Sequence, residues 1–444
     1  MAVYEAGHIL NVCSLAEALP HGHRISTAIL TYDCVLDSEA LVPEQFCVEN
    51  RHIVRAYTNS EAMKSPTCCN GRHVILELDL TDPDAPLLLT ETETGRAVTA
   101  GMETMPVEAP ALNGSKGQDG LQKGKPGHGP RSWVVMSENR VVVKQVRPLK
   151  KADGTEIPCM DEWVASREAL TEGVDAFQVF QYEDIPCNLF VPKRMEAGKT
   201  YPLVLFVPDA SVKGNDRLIV LTQGNGAMSF AADVFQKKHP CFVLAPQIPE
   251  HYAARSDQGI AGLGTLHEKV KEILNKVCRS YPVDRSRIYN TGQSMGCILG
   301  FGMNICYPDL FAASLLVGGQ WGDLPSTARL AGKKMWMLNS DGDARAYPGM
   351  NEIAGELEKA GDNVHHFTLD ARWPLEKQEQ ACREAMASGA SILYGTFEDQ
   401  SVVPEGVVKS PVANHMNTWP AAYQLETVKD WLFEQSLSEE DIFL

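Results

Sequence analysis

The chain has 444 residues, 44% of them hydrophobic and 22% charged, proportions of folded globular proteins that exclude wholesale disorder. At this length more than one hydrophobic core is expected. Forty Lys and Arg stand against 57 Asp and Glu, a formal charge of −17, which argues against a general nucleic-acid or membrane-surface role. Residues 1–160 carry strand signals with almost no helical periodicity. Alternation is found in Arg24 to Tyr32, Gln45 to Val48, His52 to Tyr57 and Val74 to Leu80, and β-rich runs in Pro86 to Thr92, Trp133 to Met136 and Val141 to Val146. Short runs with turn residues between them predict an antiparallel β-sandwich, immunoglobulin-like in architecture.

Within this half, Asn113 to Pro130 (NGSKGQDGLQKGKPGHGP) has no apolar pattern and is expected to form a flexible loop. No strand–GxxxxGK[ST]–helix arrangement surrounds it, so a phosphate cradle is disfavoured.

From about Gln178 strands alternate with helical patterns, and residues 161–444 read as a second domain. Strand candidates are Tyr201 to Val207, Cys241 to Ala245, Arg287 to Asn290, Ala313 to Val317, Lys334 to Leu338 and Ile392 to Phe397. Between the second and third of these, Leu263, Leu266, Val270, Ile273, Leu274 and Val277 form one apolar helical stripe. The pattern predicts an α/β domain, a mainly parallel sheet flanked by helices.

No run of about eighteen apolar residues occurs, so no membrane span is expected. The N-terminus lacks a basic leader and a long apolar stretch, which favours a cytoplasmic location, or a secreted one if a leader has been removed. The 12 cysteines lack CxxC pairs, and no metal site is expected; they read as reduced thiols.

The strongest local signal is RIYNTGQSMGC (Arg287 to Cys297), with the GxSxG pentapeptide Gly292-Gln293-Ser294-Met295-Gly296 between a strand and a helical run. That context suits a nucleophile lifted above the sheet edge on a strained turn, with small residues on either side. A serine needs a base and a group to orient the base. Downstream of the strand Lys334 to Leu338, Asp341 and Asp343 are both candidate acids, at a strand end where ligands gather in parallel sheets. His415 is the candidate base, in a loop expected between Ile392 to Phe397 and a terminal helix over Pro420 to Glu434. His239, His251 and His267 precede the serine, the wrong order for this arrangement.

With these residues in view, the chain resembles α/β-hydrolase serine esterases that carry an N-terminal immunoglobulin-like domain, the EstA-like group, related to feruloyl esterases, polyhydroxybutyrate depolymerases and predicted peptidases. The stretches that carry the resemblance are YPLVLFVPDAS (201–211), TQGNGA (222–227), RIYNTGQSMGC (287–297), GGQW (318–321), SDGDARAYPGMNEI (340–353) and NHMNTWPAAYQLETVKDWLF (414–433). The resemblance implies an α/β-hydrolase fold preceded by an all-β immunoglobulin-like sandwich. It implies Ser294 as nucleophile, His415 as general base and Asp343, the second Asp of its turn, as the acid in preference to Asp341. Oxyanion donors are expected from the backbone N–H of Met295 and, since Pro208 has none, from Asp209 or Ala210; the family usually has His-Gly where this chain has Pro208-Asp209. Trp321, Gln223, Asn225 and Trp419 are candidate pocket walls, and Trp373 to Gly389 a candidate partial cap over the site.

The function expected is a serine carboxylesterase acting through an acyl-enzyme on a small-molecule ester, with no metal or organic cofactor. A serine peptidase of the same fold is the first alternative. A non-catalytic binding protein with a degenerate hydrolase fold is the second, and it predicts a missing triad member, whereas all three positions are filled. The N-terminal domain is expected to shape the site entrance or to mediate homo-oligomers.

Overall fold

The computed structural model describes residues 8–19, 22–92, 95–97, 132–214, 216–405 and 407–438. The expected loop over 113–130 lies outside the described residues. The chain divides into two compact units, Met1–Leu88 with Met136–Gln178, and Leu89–Val135 with Val179–Leu444.

In chain order the strands begin with β1 (Ile9–Leu19), β2 (Gly22–Leu36), β3 (Phe46–Val48), β4 (Ile53–Asn59) and β5 (Gly71–Leu78). Then come β6 (Leu88–Thr92), β7 (Gly95–Ala97) and β8 (Ser132–Met136), which form a three-stranded sheet of their own. The first unit continues with β9 (Val142–Gln145), β10 (Leu149–Lys150), β11 (Glu156–Ile157), β12 (Val164–Ala165) and β13 (Glu168–Thr171). A five-stranded sheet, β13-β1-β2-β5-β4, and a three-stranded one, β12-β9-β3, contribute to a single core.

Strand periodicity explains the layering. Val12, Ala16, Ala28, Leu30, Val74 and Leu76 meet Phe46, Val48, Val141 and Val143 in that core. Their chain neighbours Cys13, Ile29 and Ile75 leave the opposite face of the same sheet and cluster with Tyr57.

The expected boundary at 160/161 falls instead at 178/179. Residues after 160 still pair within the sandwich: β12 joins β9, and β13 runs parallel to β1 from Cys13↔Glu168 to Ala16↔Thr171. That parallel edge departs from the purely antiparallel expectation.

The second unit is built on a nine-stranded sheet, β14 (Phe177–Tyr182), β15 (Ile185–Phe190), β17 (Phe242–Pro246), β16 (Tyr201–Val207), β18 (Val283–Gln293), β19 (Ala313–Val317), β20 (Met335–Ser340), β22 (Ile392–Phe397) and β21 (Val364–Leu369) in spatial order. From β17 to β21 every neighbouring pair is parallel, and β15 is antiparallel to β17. Strand order reverses at β16, whose two neighbours are β17 and β18. Val207 and Gly292 are register partners there, so the loops leaving β16 and β18 emerge side by side at a switch point, where parallel sheets bind ligands.

Helices are α1 (Ile219–Thr222), α2 (Gly226–Ala231), α3 (Asp233–Lys238), α4 (Leu266–Ser280), α5 (Met295–Cys306), α6 (Leu324–Thr327), α7 (Ala346–Lys359), α8 (Leu375–Ala387), α9 (Pro411–Tyr423) and α10 (Glu426–Phe433). The predicted stripe is α4: Leu266, Val270, Ile273, Leu274 and Val277 are buried. Leu263 is also buried but belongs to a preceding 3-10 turn, because Gly264 at φ +52° breaks the helical path.

Two expectations fail near the C-terminus. The single helix from Pro420 is two helices, and Pro420 lies inside α9. The true start is Ser410, whose side chain accepts the Ala413 N–H at 3.1 Å, with Pro411 in the first turn. The second concerns Trp373 to Gly389. Within it α8 packs against β21 and α10, and its Glu379 carboxylate accepts the N–H groups of Glu426 at 2.7 Å and Thr427 at 2.9 Å. A helix anchored in this way caps the start of α10 instead of covering the site. Among the described residues no helix is long and apolar enough to cross a membrane.

Candidate active site

Strand β18 runs without interruption into Ser294, which adopts φ +52° and ψ −110° before α5 begins. For a non-glycine residue this is a strained conformation. Its neighbours show why the pentapeptide has glycine at both ends. A Cβ on Gly292 would fall 2.5 Å from the Gly296 carbonyl carbon, and one on Gly296 would fall 2.0 Å from the Val207 carbonyl oxygen. Strand β16 therefore presses directly on the turn, and the Ser294 N–H is held by the Val317 carbonyl at 3.0 Å.

Asp343 follows β20 and starts α7. Its Oδ1 accepts the backbone N–H groups of Arg345 and Ala346, each at 3.0 Å. Its Oδ2 lies 2.5 Å from His415 Nδ1, and His415 Nε2 lies 2.9 Å from Ser294 Oγ. With Nδ1–H donating to Asp343, the neutral imidazole offers Nε2 as acceptor to the Ser294 hydroxyl. Serine, histidine and aspartate come from three separate strand and helix ends and meet in one line.

His415 does not sit in a loop as expected. It occupies the second turn of α9, and that turn is held by Asn414, a residue the sequence reading did not single out. Asn414 Oδ1 accepts from Ser340 Oγ and from the Gln400 N–H, both at 3.0 Å. Its Nδ2 donates to Asp399 Oδ1 and to the Ser410 carbonyl, both at 3.1 Å. Its one sequence signal is adjacency to His415.

The electrostatics of the pair are opposed in sign. Burial works against charging His415, but the Asp343 charge and hydrogen bond, with a smaller push from Asp209, outweigh it and raise its pKa above 6.5. Burial would raise Asp343, yet the His415 charge and hydrogen bond and the two backbone donors hold it below the usual carboxylate range. Asp343 is 4% exposed, while Asp341 is exposed at the surface. Partial burial, then Asp399 and Glu398, raise the Asp341 carboxyl. Only Asp343 reaches His415.

A cavity of about 550 Å³ opens above these groups, within the usual range of ligand pockets. Ser294, Met295, Asp209, Ala210, His415 and Trp419 all line it, with Ala253, Ala254, Ile298, Val412 and Met416 as apolar wall and Lys213 and Arg345 as its cations. Met295 opens α5, so its N–H has no acceptor within the helix. Trp419 stands edge-on to His415, ring centroids 5.3 Å apart at 78°.

Three expected wall residues lie elsewhere. Trp321 is fully buried; its indole N–H donates to Ser326 Oγ at 2.8 Å, and its ring fills the space left by Gly302, where a Cβ would fall 3.1 Å away. Gln223 turns its Nε2 to Ser211 Oγ at 3.0 Å, behind the cavity wall. Asn225, at φ +59°, starts α2. All three serve packing or loop geometry.

Comparison with known proteins agrees with this architecture. Residues 11–158 match the family model of the esterase Ig-like N-terminal domain. A solved structure of a thermostable esterase superposes with a TM-score of 0.73 at 22% identity, covering 96% of this chain and 100% of that one. An acetyl xylan esterase from Aspergillus awamori gives a TM-score of 0.33 at 15% identity over 42% of this chain and 82% of its own. A ferulic acid esterase gives 0.32 at 12% over 42% and 85%. No curated protein matches in sequence. The second unit thus has the α/β-hydrolase fold. The first is similar to the immunoglobulin-like domain that precedes it in esterases.

Proposed function

We propose that this chain is a serine hydrolase that cleaves carboxylic esters through an acyl-enzyme, with Ser294 as nucleophile, His415 as general base and Asp343 as the group that orients it. The observation that carries the reading is His415 joining Ser294 and Asp343 by its two ring nitrogens at the floor of a largely apolar cavity.

In this reading Ser294 Oγ attacks the acyl carbonyl while its proton passes to His415 Nε2. The imidazolium is stabilised by Asp343, already ionised and already hydrogen-bonded, so no reorganisation is needed as charge develops. The carbonyl oxygen becomes an oxyanion facing the N–H of Met295 and that of Ala210, which opens the turn after Pro208. His415 then returns the proton to the leaving alcohol, and the Ser294–acyl bond remains. Water, deprotonated by the same nitrogen, attacks the acyl carbon, and the acid departs as Ser294 regains its proton. The apolar wall suits the acyl or alcohol hydrocarbon. The degenerate-fold alternative loses its motive, because no triad member is missing or turned away.

The test is labelling by a fluorophosphonate together with turnover of p-nitrophenyl and hydroxycinnamoyl esters of graded size. The wild type should label and turn over, and Ser294→Ala should do neither, with kcat down by about 10⁶-fold. A wild type that hydrolyses none of the panel and resists the probe refutes the reading; turnover of aminoacyl amides in preference to esters would move it to the peptidase alternative.

A further inference from the structure

The loop after β16 is joined to the nucleophile turn by a buried carboxylate. Asp209 is 2% exposed. Its Oδ1 accepts the Ser211 N–H at 2.7 Å and the Ser211 hydroxyl at 2.5 Å, and its Oδ2 accepts from Gln293 Nε2 at 3.0 Å. Gln293 is the residue immediately before Ser294. Ser211 Oγ in turn accepts from Gln223 Nε2, drawing in the loop after α1. There Gly224, at φ +70°, passes so near that a Cβ would fall 2.6 Å from Gln293 Oε1. Taking a carboxylate out of water is costly unless donors replace the solvent, and three do so here. The site gains a fixed frame in return: the turn that carries Ala210 cannot shift without breaking a bond to the residue beside Ser294.

We infer that the Asp209 side chain is a positioning residue, tying the Ala210 turn to the Gln293–Ser294 elbow so that oxyanion donor and nucleophile keep one spacing. This rests on the ester-hydrolase reading above. The charge has a second consequence. Asp343 and Asp209 favour the charged form of His415 and Arg345 opposes it, so the Asp209 charge acts in the same direction as the orienting acid.

The chemistry of Gln293 allows the link and the charge to be separated. Its Oε1 is buried without a hydrogen-bond partner among the described residues. In Asp209→Asn the retained oxygen can still accept from Ser211. Gln293, by turning its amide over, can present Oε1 to the new Nδ2, so the link survives while the charge is lost. Asp209→Ala removes both. Gln293→Leu removes the link and keeps the charge.

The experiment measures kcat, KM and pH profile on a p-nitrophenyl ester, per active site titrated with a fluorophosphonate, with thermal unfolding to confirm folded protein. Asp209→Ala and Gln293→Leu should each lose about a hundredfold in kcat with KM little changed, the effect of misplacing one oxyanion donor. Asp209→Asn should stay within about tenfold of wild type, with its acid limb moved to lower pH. Gln293→Leu should keep the wild-type limb, and it carries the test if Asp209→Ala does not fold. The inference is overturned if Asp209→Ala or Gln293→Leu keeps near-wild-type kcat, or if Asp209→Asn falls as far as Asp209→Ala. A wild type that neither labels nor turns over ester defeats the underlying reading instead, a distinct result.

Discussion

Replacing Asp343 by Asn exchanges a charge for an amide of nearly the same shape, and the hydrogen bonds around it determine how that amide must point. Oδ1 takes two backbone N–H groups at the start of α7, both at 3.0 Å, so the Asn oxygen stays there. The amide NH₂ then faces His415 Nδ1, where Oδ2 was. A donor in that place forces Nδ1 to accept, and the only neutral tautomer left carries its proton on Nε2, pointing at Ser294 Oγ. The base then holds a proton where it must take one. Flipping the amide would restore the tautomer but set NH₂ against two N–H donors that have no other partner, a worse arrangement. The loss expected is that of a triad with the wrong tautomer, about 10⁴-fold in kcat, or ~5.4 kcal/mol of transition-state stabilisation. Because the α7 cap is preserved, the thermal midpoint should move only slightly. Steady-state hydrolysis of a p-nitrophenyl ester beside a thermal melt reads both. Asp341→Asn is the control, since that side chain is exposed and makes no contact with His415. An Asp343→Asn enzyme within tenfold of wild type, or an equally damaged Asp341→Asn, would refute the assignment.

In the proposed mechanism the neutral imidazole is the base, and the pKa of His415 is raised, so kcat/KM should climb with pH to a half-maximal point above 6.5 and be lost on acidification; a flat profile from about pH 5.5 to 9 would contradict this. Two glycines should answer alanine in opposite directions. Gly296→Ala drives a Cβ into the Val207 carbonyl and should abolish activity or folding. Gly355→Ala, in α7 with open space at its Cβ, should stabilise by about 0.5–1 kcal/mol in thermal or urea unfolding. In the sandwich, Arg51 is 3% exposed and pairs with Asp82 at 3.2 Å, while the Asp82 carboxylate also takes His52 Nδ1 at 2.6 Å and its N–H at 2.7 Å. Asp82→Ala strands a buried cation and should cost about 3–5 kcal/mol by urea denaturation, a value under 1 kcal/mol counting against the role of the pair. Burial alone would raise the Asp82 carboxyl, but His52 and Arg51 hold it low. Its stabilisation is therefore present above the unfolded value of about 3.9 and disappears as pH falls through the lower folded value.

What is legible in the amino-acid order tracks how local the physical constraint is. Six of the nine strands of the second sheet, β16 to β20 and β22, are readable as runs because parallel strands covered on both faces need no alternation; Ile392–Phe397 is such a run, buried on both faces of the sheet, with only Thr396 partly exposed, whereas the edge strands β14 and β21 are half exposed and escape that reading. The end of the sandwich is not readable in the same way. β12 and β13 span two and four residues, and neither β13 nor its partner β1 carries a signal that they will pair. A strand that short owes its existence to the neighbour it meets, and for β13 that neighbour is more than a hundred positions away. Leu263 shows the converse: its spacing fits the α4 stripe and its burial agrees, yet one glycine with positive φ takes it out of the helix.

The same rule divides the site. The turn at Ser294 can be read from Gly292 to Gly296 because its marks fall within five consecutive residues, although the atom that excludes a side chain at Gly296 belongs to Val207 on β16. Asp343 and His415 follow from chain order, but the setting of His415 is obscured by two prolines with opposite meanings. Pro411 begins α9 and Pro420 sits within it, and a Pro near an apolar run is by itself consistent with either position. Trp321 lies close in sequence to the end of β19, and Gln223 and Asn225 in the connection between β16 and β17, but place along the chain does not fix the direction in which a side chain leaves the backbone. Trp321, in the loop after β19, turns into the core where Gly302 of α5 leaves room for its ring. Asp209 is the sharpest case. An acidic side chain at a pocket mouth would ordinarily be expected in solvent. It is drawn inward by Gln293, 84 residues away, whose amide in turn has space only because residue 224 is a glycine. Three loops therefore determine the orientation of one carboxylate, and none of them specifies it alone.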